Sequence, residues 1–519
     1  MTDMLTTNNL GYYLTEWAER SPSRTAVIDL FGGKERIIDY GTLDDRMTMF
    51  ANVLLSLGME PGERLIMSVS NRIEFMEIMF GAMRAGIVPV PINTGLSADV
   101  IDYIIGDSDC RGGLVEPIAN TVIADIVDQH QLGVKLILDG VRDEWNDYET
   151  AMAGVEPTLA PTRLSDDHIC FQAYTSGSTG RPKGVPLTHA GQVWWLDCYA
   201  RYWPPNPDAR SLVAVPLYHK NAMAGAAKPR LVAGGSFVLM PQFNAQKFLQ
   251  NIENYKVTTI GGVPTVFSLI LQEQEMLQNL DLSSLQLAIV GSAPVHDELF
   301  EEMRDKLGCE VMQSYGLTEG GPVMFGPPVE GGTTPIGSAG KPWPEGEVKL
   351  VDTEGDDSVN IGELWVRNPG VISGYHNLPK INAERIVDGW LRTGDLFRRD
   401  EDDFYYFVGR TDDMFNCGGE NIYPQEVENL LMSHPAVNEA CVVPIPYRTK
   451  GDAPVTMLSL IKGADADEEE IKSYCLKNGP AYAHPRRIII VDELPLSGAR
   501  KIDRSWIKKR MTDECQDLA

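Results

Sequence analysis

Apolar positions in the first third of the chain alternate between two rhythms. Residues 43–58, LDDRMTMFANVLLSLG, repeat at helical spacing and stop at Gly58. Residues 64–70, RLIMSVS, read as a strand, 74–86 as a helix ending in glycine, and 87–93, IVPVPIN, as a strand. The rhythm returns from Ser211: SLVAVPL as a strand, KFLQNIENYK as a helix, then VTTIGGVP and SLQLAIVGSAP as strands. Strand–helix alternation of this kind predicts mainly parallel sheets covered by helices. Ligands of such sheets sit at the carboxyl ends of the strands. The Gly-rich and polar loops described below are expected there.

Beyond Gly337 the texture changes. GEVKLVD, GELWVRNPG and GWLRTGDLFRRDEDDFYYFVGR are short strands and turns that predict antiparallel pairing. A boundary is expected after Arg410, giving a large domain over 1–410 and a small α+β domain over 411–519. PQEVENLLMSHP and EEEIKSYCLKNG are the helices expected in the small domain, and ACVVPIP and VTMLSLI its strands.

Length supports the division, because 519 residues exceed the roughly 250–300 that one hydrophobic core serves. The formal charge of −28 argues against a nucleic-acid binder, which would show a basic patch. It also requires any nucleotide site to be locally basic or rich in backbone N–H groups. Eight scattered cysteines without a C-x-x-C pair predict reduced thiols and a cytoplasmic location rather than a disulfide framework. The N-terminus does not read as a signal peptide, and no run of about 18 apolar residues predicts a membrane span.

YTSGSTGRPKG (174–184) is the sharpest local feature. Its glycines let backbone N–H groups approach phosphate, its hydroxyls add donors, and Lys183 adds a point charge. It departs from the Walker pattern, since proline precedes the lysine and glycine follows it. Six further blocks follow in order: PLYH (216–219), QSYGLTE (313–319), GELWVRNPG (362–370), GWLRTGD (389–395), GRTDDMFNCGGENIYPQEVE (409–428) and PLSGARKIDR (495–504). Together they resemble the adenylate-forming superfamily of acyl-CoA synthetases, peptide-synthetase adenylation domains and luciferases. The pattern is closest to acyl- or aryl-CoA ligases.

The resemblance implies a two-step reaction. A carboxylate attacks the α-phosphorus of Mg-ATP, and coenzyme A then attacks the acyl-adenylate. It implies that Thr175, Ser176, Gly177, Ser178, Thr179, Gly180 and Lys183 cradle phosphate. Ser292, Ala293, Pro294, Gln313, Ser314, Tyr315 and Gly316 would line the nucleotide site, with the Tyr315 ring against adenine. Thr318 would donate to phosphate, Glu319 would hold Mg²⁺, and Asp395 and Arg410 would hold ribose or α-phosphate. Lys501 would bridge the carboxylate and the α-phosphate. Asp412 matches the hinge, and Gly418 and Gly419 match the loop that lines the thiol tunnel. Three departures stand out: Arg500 where relatives carry glycine, Asn416 where many carry lysine, and Ala483–His484 after Tyr482. The CoA phosphates are left with Arg448, Lys450, Arg486 and Arg487 as candidates.

His219 matches the family's pocket histidine. Residues 209–252 hold no Asp or Glu but do hold Arg210, Lys220, Lys228, Arg230 and Lys247. Relatives that activate amino acids place an aspartate after that histidine to meet the ammonium. Here Lys220, Asn221, Ala222 and Met223 follow, which disfavours an amino acid. If Lys220 faces the pocket with Met223, the acid carries a second polar or anionic group. Ala222, Gly225, Ala226, Gly291, Gly320 and Gly321 predict room for an aryl, arylpropenoic or medium-chain acid. A freestanding enzyme loading a carrier-protein thiol and a non-catalytic acyl-adenylate-binding regulator stay open as alternatives. The expected partners are a small carboxylic acid and CoA, with a homodimer left open.

Overall fold

The computed structural model describes residues 6–515 apart from 162, 176–180, 203–205, 220–221, 292–294, 296, 322–324, 329–330, 353–354, 359, 418–419, 448–450, 482 and 497–501. Two helix-covered sheets make up its first part. One is wholly parallel and runs Val88–Pro91, Arg64–Ser68, Cys110–Val115, Val134–Ile137, Asn146–Asp147. The other runs Glu310–Ser314, Leu287–Gly291, Thr259–Gly262, Arg210–Val213, Ser236–Leu239, Thr25–Asp29, Arg36–Asp39, with its last pair antiparallel. The largest core lies between these sheets and contains Phe50, Phe80, Trp195, Leu217 and Phe237.

The helix expected over 43–58 occupies Tyr40–Ser56. It begins earlier because the Asp39 carboxylate accepts from the Thr42 N–H at 2.8 Å, capping the first turn. The helix Ile73–Arg84 is buried along its whole length, wedged between the sheets.

A knot of charges ties the two sheets together behind the site. Arg72 donates to Glu74 at 2.6 Å, to Glu116 at 3.0 Å and to Asp139. Arg36 joins the same Glu74 at 2.6 Å and also Asp29, which lies on the other sheet. Next to Arg72, the Asn71 amide donates to the Val215 carbonyl at 3.0 Å and accepts from the Leu217 N–H at 2.7 Å. Asn71, beside the knot, thus holds the segment that leads to His219.

Residues 347–410 form an antiparallel sheet, as expected. The residues after it build a second mixed sheet from Phe415–Cys417, Glu420–Ile422, Val437–Tyr447, Gly451–Leu460 and Ile488–Val491, with its own core. Ile488–Val491 and the helix Arg504–Glu514 complete that unit.

One expectation is corrected. The segment leading into 176–180 does not end a parallel strand. Ile169–Thr175 pairs antiparallel with Lys183–Thr188 in a separate two-stranded ribbon, and Thr175 stands opposite Lys183. Lys183 is thereby placed beside the threonine that begins the loop. The PLYH and QSYGLTE blocks do follow parallel strands, Arg210–Val213 and Glu310–Ser314.

Candidate active site

Thr175, Lys183, Gln313, Ser314, Tyr315, Gly316, Thr318, Glu319, Asp395 and Arg410 line one cleft of about 1840 Å³. Its far wall comes from the C-terminal unit, including Gln425, Glu428 and Arg504. Ser176, Gly177, Ser178, Thr179, Gly180, Lys220, Ser292, Ala293, Pro294, Gly418, Gly419 and Lys501 lie outside the described residues, as do Arg448, Lys450 and Tyr482.

The Glu319 carboxylate accepts from the Thr175 hydroxyl at 3.3 Å and from the Tyr375 hydroxyl at 3.3 Å. Both bonds are long and neutral, and the Lys183 ammonium supplies the opposite charge nearby. Its backbone is held firmly. The Glu319 carbonyl accepts from the Ile372 N–H at 2.9 Å, and the Asn368 amide donates to the Gly320 carbonyl at 2.9 Å. Asn368 belongs to the NPG turn of the GELWVRNPG block, so that block acts by clamping the residues after Glu319. Gly321 sits at φ +93°, where a side chain would be strained. Lys183 approaches the Tyr375 ring at 5.0 Å. Burial lowers the Lys183 ammonium pKa, and Glu319 pulls it back up.

Tyr315 donates to the Asp395 carboxylate at 2.5 Å, and Arg410 Nη1 lies 2.9 Å from the other oxygen. Asp395 and Arg410 face each other across paired strands. Burial raises the Asp395 pKa, and Arg410 pulls it back. The Tyr315 ring stands edge-on to Phe397, with centroids 4.7 Å apart. Asp412 lies beyond this strand, exposed, and accepts from Arg385 at 2.9 Å.

A second, smaller cavity of about 20 Å³ contains His219, Met223, Gln192 and Lys228. Among the described residues Thr318 is the one that borders both spaces. Among the described residues, the small residues expected to make room for the acid do not line this cavity. Gly291 borders neither space, and a Cβ there would meet the Ser314 carbonyl and hydroxyl oxygens at 2.8 Å, so it serves close strand packing. Gly320 and Gly321 also border neither. Ala222 and Ala226 are consumed by the central core. Two of the CoA candidates are already engaged, Arg486 with His484 and Arg487 with Glu468 at 3.8 Å.

Sequence reasoning did not single out Tyr375, Arg385, Asn368 or Gln192. Asn368 could have been found, since it opens the NPG turn of a quoted block. Tyr375 and Arg385 fall between blocks and carried no signal.

Residues 14–376 match the AMP-binding enzyme family, and residues 426–501 match the AMP-binding enzyme C-terminal domain. The chain belongs to the AMP-binding enzymes. Within that family it is similar to a feruloyl-CoA synthase from Amycolatopsis sp, 32% identical over 96% of this chain and 99% of the relative. A mitochondrial medium-chain acyl-CoA ligase from Mus musculus is 30% identical over 98% of this chain and 88% of its own. ATP-bound MatB from Rhodopseudomonas palustris superposes with a TM-score of 0.88 at 28% identity, covering 98% and 99% of the two chains. This family member is an acid–thiol ligase of the AMP-forming acyl-CoA synthetase type. Among the described residues no helix is long and apolar enough to cross a membrane.

Proposed function

We propose that this ligase activates an aryl, arylpropenoic or medium-chain acid as its acyl-adenylate, releases pyrophosphate and passes the acyl group to CoA. The observation that carries the reading is Thr318, which lines both the large cleft and the small cavity. A carboxylate held beside His219 would meet an α-phosphate at that junction. In-line attack requires the two reactants to be aligned there.

In this reading Lys183 and Thr175 take phosphate oxygens, and Lys183, Arg385 and Arg410 supply the positive charge that an acidic protein must concentrate locally. Asp395 accepts from the ribose hydroxyls, while Tyr315 and Arg410 hold its carboxylate in place. Glu319 suits Mg²⁺. It is a single half-buried carboxylate with weak partners, and among the described residues no cluster of three His, Cys, Asp or Glu competes for the ion. Mg²⁺ is commonly held by one or two carboxylates plus substrate phosphates, whose charge it neutralises. Residues 1–410 would bind ATP and acid. Residues 411–519 would carry Lys501 to the α-phosphate and then swing about Asp412 to open the thiol path. An aryl or medium-chain acid enters by displacing Met223, an unbranched chain that repacks readily.

The test is pyrophosphate release over a panel of aromatic, aliphatic and dicarboxylic acids, with and without CoA. Acid-dependent release with acyl-CoA formation is expected. Release that needs a carrier protein in place of CoA would favour the carrier-loading alternative, and no acid-dependent release would sink the ligase reading.

Asp395→Asn removes the charge from the ribose acceptor. Charge-assisted hydrogen bonds contribute about 1.5–3 kcal/mol, so the KM for ATP should rise by roughly 10- to 100-fold. Initial rates against ATP at saturating acid will read this. An unchanged KM would remove Asp395 from the nucleotide site.

A further inference from the structure

Lys228 is 3% exposed, a depth that ammonium side chains rarely reach unless paired. Its Nζ donates to the neutral Gln192 Oε1 at 2.8 Å and lies 5.3 Å from the centroid of the Trp195 ring. Among the described residues no carboxylate lies within ion-pair distance of it. An ammonium has three donor hydrogens, so this one is left with unused capacity and no counter-charge.

The side chain borders the small cavity that holds His219, Met223 and Thr318. The wall around it is mostly apolar, with Phe80, Phe171 and Leu217, and its other polar members are Gln192 and Tyr218. A second observation concerns the backbone. Residues Met223–Ala227 form a π-helical turn that runs directly into the helix Lys228–Val232. A π turn inserts an extra residue and re-aims the side chains after it, and such turns occur mostly at functional sites. It begins with the cavity residue Met223 and ends at Lys228. Packing alone would be served by methionine here, without the cost of burying a charge.

We propose that Lys228 is a specificity-determining residue, receiving a second oxygen acceptor on the acid, remote from the carboxyl that is activated. The chemistry it selects is an anionic or strongly accepting oxygen, as borne by a terminal carboxylate or a phenol. The proposal rests on reading the small cavity as the acyl pocket. Burial lowers the ammonium pKa to about 8, and the one titratable neighbour that acts on it, the Cys170 thiol, is itself pushed up to about 12. At neutral pH the group is therefore mainly a cation facing a thiol that stays protonated. An acid ending in plain hydrocarbon leaves that cation unmet, whereas an oxygen acceptor satisfies it. Sites with a buried polar group discriminate strongly against analogues that lack its partner. This deepens the sequence expectation for Lys220 and moves the selecting role to a residue nine positions after His219.

The experiment uses matched acids on the intact enzyme: hexanoic against adipic, and cinnamic against 4-hydroxycinnamic. The ratio of kcat/KM within each pair is read by pyrophosphate release for the wild type, Lys228→Met and Lys228→Gln. The wild type should favour the oxygen-bearing member of one pair by about tenfold or more, and the pair that responds identifies carboxylate or phenol. Lys228→Met should abolish or reverse that preference, chiefly through KM, and Lys228→Gln should restore part of it for the phenol. Turnover without preference in either pair, or a preference that survives in Lys228→Met, would overturn the proposal while leaving the ligase reading intact. No turnover of any acid in the panel would instead fail the ligase reading, and this proposal with it. Thermal melting accompanies each variant. The methionine variant should melt no lower than wild type, because it removes a buried charge, and a collapsed melting transition would mark Lys228 as structural and overturn the proposal.

Discussion

Lys501→Ala is expected to cut acid-dependent pyrophosphate release by about 10²–10³-fold, the usual loss when one group that stabilises transition-state charge is removed. The same variant should still form thioester from supplied acyl-adenylate and CoA. The asymmetry follows from chemistry. In the first step two anions, carboxylate and α-phosphate, are brought together, and a lysine between them offsets their repulsion. In the proposed second step a thiol attacks an adenylate whose phosphate is the leaving group, and the C-terminal unit would present a different face. The two half-reactions are measured separately, by pyrophosphate release and by thioester yield from synthetic adenylate. Equal loss in both would contradict the alternation of the C-terminal unit.

Arg72→Ala should cost about 3–5 kcal/mol of folding free energy, the range for removing one partner from a buried ion pair. It would strand Glu116, which is fully buried, leave Glu74 to Arg36 alone, and release Asp139. Urea unfolding monitored by tryptophan fluorescence reads the loss, and a cost below about 1 kcal/mol would show that Arg36 suffices. The knot also sets an acid limit. Burial alone would raise the Glu74 pKa, but Arg36 and Arg72 outweigh it and bring it from 4.5 to about 2. Because the folded value lies below the unfolded one, the stabilisation is complete above pH 4.5 and is lost as pH falls toward 2. In Arg72→Ala this acid-side slope should flatten. Activity should fall too, since Asn71 beside the knot fixes the turn that leads to His219.

The α/β rhythm of the first part was legible because its strands are short apolar runs separated by glycine-stopped helices. The antiparallel sheet after Gly337 was legible because its short strands are separated by turns rather than helices. The features that stayed hidden arise from tertiary placement. The ribbon Ile169–Thr175 with Lys183–Thr188 looks like any strand and loop until the partner strand is seen, so the position of Lys183 opposite Thr175 carried no local signal. Helix Arg504–Glu514 was missed because its sequence, RSWIKKRMTDE, is almost wholly polar. The small residues near the acid were read as space, whereas Gly291 serves a close approach to Ser314. Lys228 was visible as one of several cations in an acid-poor stretch. Its burial was not, because burial depends on Trp195 and Gln192 from a distant helix.

The two spaces are walled mainly by different hydrophobic cores, although Tyr375 of the cleft belongs to the central one and Ile386 packs on both. Leu217, Met223 and Ala224 belong to the core between the parallel sheets, whereas Tyr315 and Phe407 pack on the core of Phe325 and Phe397. Mutations at sites that share no partner combine nearly additively. Descendants of such a chain are thus at liberty to exchange one acid for another, residue by residue around Met223 and Lys228, while inheriting the nucleotide machinery unaltered. Thr318, at the border, is where that modularity ends.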